Sequence, residues 1–256
     1  MFTACVLGCL DYHPLLHACI SSLQPGLQTG LLSAIRVGLN SPSAALLRCV
    51  AEFCRDGVIA DNNVYVAPNN LLKYPMMRAM FNDAANPIVS PFIMWCDDDS
   101  QVPHDAAWWR RVADVCANAD YVGQRWRMRL SPLQRLWQQA QPWCKTRPPA
   151  MQEFMQGAWW CLRTERMREA DWPHPCLRHN GGDVLLGAMA RQAGWRQVVW
   201  SDGVMVNAGF TGKQSGAQRR QHTSTVPIGA DYRPGQPYVT VPLPELVKFE
   251  RTACLS

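Results

Sequence analysis

Three consecutive carboxylates, Asp97-Asp98-Asp99, close the apolar run Pro91-Phe92-Ile93-Met94-Trp95-Cys96. An uninterrupted apolar run of this length reads as a strand buried on both faces, and such a strand delivers the residues after it to the rim of a sheet. Adjacent like charges at that rim repel unless a cation neutralises them. Hard oxygen ligands at a strand end suit Mg2+ or Mn2+, which keep open positions for a substrate's phosphate oxygens. A solvated acidic turn is the bland alternative. A further carboxylate stands apart, in Asn180-Gly181-Gly182-Asp183 ahead of the helical run Val184 to Ala193. Glycines let backbone approach a substrate closely, and a helix start favours an ionised carboxylate. Asp183 can thus act as a general base toward a hydroxyl or as an ordinary helix N-cap, and the two roles are compatible.

The elements that would position these groups alternate. Residues 2–10 predict a strand and His13 to Leu23 a helix. Leu31 to Val37 is a second strand, followed by a helix from Ala44 to Arg55 stopped by Asp56-Gly57. A short strand at Asn63 to Val66, a polar turn and a helix around Met76 to Ala85 lead to the strand at 91–96. Beyond the acidic cluster, Pro103 opens a helix through Ala106 to Ala117, and Tyr121-Val122-Gly123 is a short strand. Residues 130–152 read as an irregular, partly helical excursion. The core then resumes at Gln156 to Leu162, followed by helices at Thr164 to Glu169 and Val184 to Ala193 and a last strand at Gln197 to Trp200. This alternation predicts an α/β fold: a mostly parallel sheet with helices on both faces, its ligands at the carboxyl ends of the strands.

The 256 residues, 48% of them apolar, suffice for one large domain. No apolar stretch approaches the ~20 residues of a membrane span. The apolar start lacks a basic flank and a cleavage site, so it reads as the first strand rather than a signal peptide. Eleven scattered cysteines without CxxC pairs predict reduced, buried thiols and a cytoplasmic protein. The net charge of +5 is modest, but its placement is uneven. Between Asp120 and Glu153 no acidic residue occurs, while Arg125, Arg127, Arg129, Arg135, Lys145 and Arg147 are interleaved with Trp126, Trp137 and Trp143. Between Asp202 and Asp231 acidic residues are again absent, while Lys213, Arg219, Arg220 and His222 are present. His13, His17, His104, His174 and His179 show no ligand spacing and read as surface or packing residues.

The ordered set of motifs resembles the GT-A-fold nucleotide-sugar glycosyltransferases, in particular their large inverting group. The resemblance runs from residue 2 to about 207. It rests on the helix Leu15-Leu16-x-x-Cys19-Ile20-x-Ser22-Leu23, Asp97-x-Asp99 with Pro103 four residues on, Gly157-Ala158 with Arg163-x-Glu165, and Gly181-Gly182-Asp183 opening a helix that closes at Ala193-Gly194-Trp195. It implies a Rossmann-like single domain over 1–226, with a nucleotide-sugar half at 1–123, an acceptor half at 124–226 and an extended tail at 227–256 packed on it. It further implies that Asp99, with Asp97, holds a divalent ion, Mn2+ or Mg2+, on the diphosphate of a UDP-sugar or similar donor, that Asp97 lies toward the ribose, and that Asp98 fills the variable middle position on the donor side. Asp11 and Tyr12 would grip the nucleotide, and Asp183 would be the base. The fold commonly presents a late histidine as a further metal ligand. Here Asn207 stands in that stretch, so Asn207, His222 or a water would complete the shell.

The acid-free basic windows coincide with the acceptor-facing segments that the resemblance implies. Arginines interleaved with tryptophans suit a phosphate backbone and an unstacked base. The expected acceptor is therefore anionic, with a hydroxymethylated pyrimidine in DNA foremost, as for phage enzymes that decorate DNA in the host cytoplasm. Arg125, Trp126, Arg127, Arg129, Trp159, Trp160, Lys213, Arg219 and Arg220 would contact it, the extruded base stacking on a tryptophan. The alternatives are a glycosyltransferase on lipid-linked or surface glycan, a metal-dependent phosphohydrolase or nuclease, and a non-catalytic nucleic-acid binder.

Overall fold

The structure, a computed structural model, describes residues 1–179, 181–206 and 245–255. Its elements in order are β1 (Phe2–Cys9), α1 (His13–Gln28), β2 (Leu32–Asn40), α2 (Ala44–Arg55), β3 (Val64–Ala67), α3 (Lys73–Phe81), β4 (Phe92–Asp97), α4 (Ala106–Ala117), β5 (Tyr121–Arg129), α5 (Pro132–Gln139), β6 (Met151–Arg163), α6 (Thr164–Glu169), α7 (Gly182–Gln192), β7 (Gln197–Val199) and α8 (Arg251–Leu255). The strands form one seven-stranded sheet in the order β3-β2-β1-β4-β6-β5-β7. β6 is antiparallel to both its neighbours and every other pairing is parallel, so the expected mostly parallel α/β sheet is what forms.

Alternation along the central strands builds two cores. Phe92, Met94 and Cys96 of β4, with Trp159 and Cys161 of β6, face α1, α2 and α4. Ile93 and Trp95, with Trp160 and Leu162, face α3 and α7. Burial on both faces explains why these strands read as continuous apolar runs rather than alternating ones. All eleven cysteines are free thiols, most of them buried, as the scattered spacing predicts.

Several elements have other bounds than the sequence reading gives them: β2 runs on to Asn40, α3 spans Lys73–Phe81, and β6 starts at Met151. α1 continues to Gln28 with Pro25 inside it. Its neighbour Gly26 lies so close to Trp109 of α4 that a Cβ there would come within 2.6 Å of the indole ring. Tertiary packing thus holds a helical turn that proline would otherwise end. β5 runs to Arg129 rather than stopping at Gly123: the register shifts between Gly123 and Arg125, and the strand pairs with the first half of a thirteen-residue β6. This two-stranded extension carries the first basic window. Within the excursion, Ser131 and Gln134 form a capping box that starts α5.

The tail returns to the sheet at its far edge. Val247 pairs with Val66, Phe249 enters the core beside α2, and Arg251 donates to the Cys54 carbonyl at the end of α2. No described helix is long and apolar enough to cross a membrane.

Candidate active site

β4 ends on Asp97 at the carboxyl rim of the sheet, and the cation that neutralises this aspartate belongs to the protein. Lys73 Nζ lies 2.7 and 2.9 Å from the two carboxylate oxygens of Asp97 and donates a further bond of 2.8 Å to the carbonyl of Gly157 on β6. Trp95 Nε1 donates to Asp97 Oδ1 at 2.8 Å, and the ammonium stands 5.3 Å from the Trp95 ring centroid. Both Asp97 oxygens accept bonds inside the protein, which anchors the carboxylate at the rim, and its side chain stays 29% exposed there. The turn beyond it, closed by a bond from the Ser100 N–H to the Asp97 carbonyl, presents Asp98 and Asp99. Asp98 is partly exposed at this turn. Burial and the neighbouring Asp99 and Asp97 charges push its carboxyl well above the usual range, against bonds from the Cys9 and Asp99 N–H groups.

Lys73 is the residue that reading by motif overlooked. A signal existed: no other lysine precedes Lys145, and this one interrupts the apolar run from Leu71 to Met77. A buried charge in such a run needs a partner. The residue before it, Leu72, has φ +70° and ψ −176°, a conformation that favours glycine. The Asn40 side chain, at the end of β2, holds that strand-like kink by donating to the Leu72 carbonyl at 2.9 Å.

Asp183 is brought to the same place by the next residue along. The Tyr74 hydroxyl accepts from the Asp183 N–H at 3.1 Å, while the Tyr74 N–H donates to the Arg178 carbonyl at 3.0 Å, so a single residue pins both ends of the loop. The pinning requires Gly182, where a Cβ would stand 2.1 Å from the tyrosine ring. Gly181, at φ +80°, is the N-cap of α7, and Asp183 sits one residue inside the helix. The N-cap role is thereby excluded for Asp183, whose Oδ1 instead accepts from the Val184 N–H. Burial raises the Asp183 carboxyl above its ordinary value and the Lys73 charge draws it back. A Cβ placed on Gly157 would lie 3.4 Å from both Asp183 Oδ2 and Lys73 Nζ, so this glycine keeps open the space between them.

The remaining expected residues divide. Asp11 and Tyr12 come after β1 at the same rim, where Asp11 accepts from Ser43 Oγ at 2.9 Å and is mostly exposed. Trp159 and Trp160 are buried in the two opposite cores, Trp160 stacked on Trp95, and neither ring is at a surface that could receive a base. Trp126 is 56% exposed. Arg125 and Arg127 face Glu153 across the β5–β6 ribbon at 3.7 and 2.8 Å, so the window that lacks acids in sequence has one opposite it in space. Arg129 is exposed beyond that pair. His179, read from sequence as a packing or surface residue, lies within the influence of Lys73 and Asp97. Asn180, Asn207, Lys213, Arg219, Arg220 and His222 lie outside the described residues.

The chemistry of the rim fits a divalent cation. Asp98 and Asp99 are mutually repelling carboxylates whose repulsion a metal would relieve. Among the described residues no three His, Cys, Asp or Glu side chains converge. A divalent ion at this rim would be held by one or two carboxylates, with substrate phosphates and waters completing the shell, the kind of coordination Mg2+ and Mn2+ accept.

No protein-family model and no curated protein sequence matches the chain. Solved structures do. S. aureus TarS residues 1–349 in complex with UDP superimposes with a TM-score of 0.51 at 14% identity, covering 79% of this chain and 58% of that one. S. aureus TarS in its longer form gives 0.51 at 14% identity over 79% and 35%. The mannosyltransferase PcManGT from Pyrobaculum calidifontis in complex with GDP-Man and Mn2+ gives 0.49 at 13% over 78% and 55%. The chain thus spans little more than half the length of the first of these proteins. The sheet order, the acidic rim at β4 and the TarS superpositions together show that this chain has the GT-A fold of nucleotide-sugar glycosyltransferases.

Proposed function

We propose that the protein is a metal-dependent glycosyltransferase that moves a sugar from a nucleoside-diphosphate sugar, a UDP-sugar first, to a hydroxyl acceptor with inversion. The observation that carries this reading is the convergence, through Lys73 and Tyr74, of the β4 acidic rim and Asp183 on one side of the sheet. The structural likeness to TarS with UDP bound supports a uridine nucleotide. Asp99, aided by Asp98, would hold the divalent ion, which neutralises charge on the departing diphosphate. Asp11 and Tyr12 would border the nucleotide.

Asp183 takes the proton of the acceptor hydroxyl as that oxygen attacks the anomeric carbon opposite the leaving group. Burial raises its affinity for that proton, and the Lys73 charge opposes the rise. Asp183→Asn is expected to lower kcat by at least about a hundredfold while nucleotide binding is retained. Asp99→Ala is expected to abolish the manganese-dependent part of UDP binding and leave the melting temperature unchanged. Calorimetry with UDP and MnCl2, beside turnover of the nucleotide sugar, checks both. Wild-type turnover in Asp183→Asn, or unchanged manganese-dependent affinity in Asp99→Ala, would overturn these roles.

For the acceptor, a hydroxymethylated pyrimidine in DNA is favoured by the exposed Trp126 between two arginines, a stacking platform beside positive charge. Glu153 offsets part of that charge. Affinity for duplex DNA should then fall with salt at a log–log slope of about −0.9 per phosphate neutralised, flattened in the triple variant Arg125→Glu, Arg127→Glu, Arg129→Glu. Salt-insensitive binding, with no sugar mass added to any base, would remove DNA and favour a glycan acceptor.

A further inference from the structure

The β5–β6 ribbon carries a second ordered set of charges, apart from the acidic rim. β6 runs antiparallel to β4, with Trp159 opposite Cys96, so the earlier residues of β6 and the β5 residues paired with them project beyond the carboxyl rim. Successive side chains of a strand point to opposite faces, and alternate ones repeat at roughly 6.8 Å. Arg125, Arg127 and Arg129 therefore form a row on one face of β5, about 14 Å from first to last, while Trp126 belongs to the other face. All four side chains are exposed. β7 pairs with β5 only at Tyr121 to Gly123, so among the described residues the outer edge of β5 beyond Gly123 has no neighbouring strand.

An extended nucleic-acid backbone presents phosphates at an interval comparable to that of the row. A strand lying along the free edge sets its phosphates over the arginines and turns a base across the edge onto the Trp126 ring, a stacking surface that any base can use. The bases of a duplex are paired and stacked inside, and reach such a ring only by extrusion. Glu153 tunes this surface. It stands opposite Arg127 in register, with Arg127 Nη2 at 2.8 Å and Arg125 Nε at 3.7 Å. These three side chains are about half exposed, and an ion pair so exposed contributes little to the fold and exchanges with solvent ions. The Glu153 carboxylate thus occupies the place of phosphate oxygens and yields to a ligand that brings several negative charges at once.

We propose that Arg125, Arg127 and Arg129 seat consecutive phosphates of single-stranded DNA, with Glu153 as the internal competitor that those phosphates displace. This rests on the DNA-acceptor reading and narrows it: the acceptor base is presented by an unpaired strand.

The test is fluorescence anisotropy with a labelled oligodeoxythymidylate and with the duplex it forms with oligodeoxyadenylate. The wild-type protein should bind the single strand about tenfold more tightly than the duplex, the worth of one stacked base. Glu153→Gln should tighten single-strand binding by about threefold, the worth of one exposed charge pair. Arg127→Gln and Arg129→Gln should each weaken it and lower the slope of log affinity against log salt by about 0.7, the value for one phosphate of a single strand. Melting temperatures separate a lost contact from a lost fold, and Arg129→Gln serves where loss of the Glu153 pair disturbs the ribbon. Binding by Glu153→Gln no tighter than wild type, slopes unmoved by the arginine substitutions, or a preference for the duplex would overturn the proposal and leave DNA as the acceptor. No measurable binding of either DNA form, whether or not phosphatidylglycerol vesicles bind in its place, would overturn the DNA reading itself and the proposal with it.

Discussion

Lys73 holds Asp97 in place, ties β4 to β6 through Gly157, and lends positive charge to Asp183. Removing one partner of a largely buried pair leaves an uncompensated charge, so Lys73→Met should lower unfolding free energy by about 3 kcal/mol, measurable by urea denaturation. It should also move the acid limb of the rate profile to higher pH, because Asp183 loses the neighbour that opposes its burial. The same raised carboxyl has a consequence for stability. A native group that binds its proton more tightly than the unfolded chain does stabilises the protein at low pH, and that contribution is lost as pH rises through the raised value. Asp183→Asn should therefore be at least as stable as the wild-type protein at neutral pH, although far less active. A drop in its melting temperature there would contradict a carboxylate strained by burial.

At the scale of elements, α7 is seated by small residues. A Cβ on Gly187 would come within 2.5 Å of Phe154 Cβ and 2.9 Å of its Cα, so the helix rests directly on β6 backbone. Gly187→Ala must displace α7, and with it Asp183, at a cost of about 1–3 kcal/mol. Thermal unfolding and turnover should both fall, and an unchanged melting temperature would mean the helix can shift freely. The start of α7 and the close of α2 at Gly57 are legible in sequence, because positive φ and helix ends have local signatures. The continuation of α1 past Pro25 and the length of β5 are not. Those depend on Trp109 and on β6, partners far away in the chain.

For the molecule as a whole, acid should destabilise the fold through a buried histidine. His174 is buried beside Trp137 and Cys176, and its desolvation lowers its pKa from 6.5 to about 4. The unfolded chain takes up a proton below pH 6.5 that the native protein refuses, so stability is lost progressively as pH falls from 6.5 toward 4. Melting temperatures across that window should fall in the wild-type protein and fall less in His174→Gln. Equal slopes would assign the acid sensitivity elsewhere.

Sequence by itself determined the alternation of strands and helices, the acidic rim after β4 and the Gly-Gly-Asp entry to α7. Each is written in neighbouring residues, through periodicity, turn chemistry and the cost of adjacent charge. Only the tertiary structure decided what surrounds each carboxylate. Lys73 and Asp97 are 24 residues apart, Tyr74 and Asp183 are 109 apart, and Arg127 meets Glu153 across a strand pair. Those pairings arise from strand order and register, which set distances between residues that no local pattern relates.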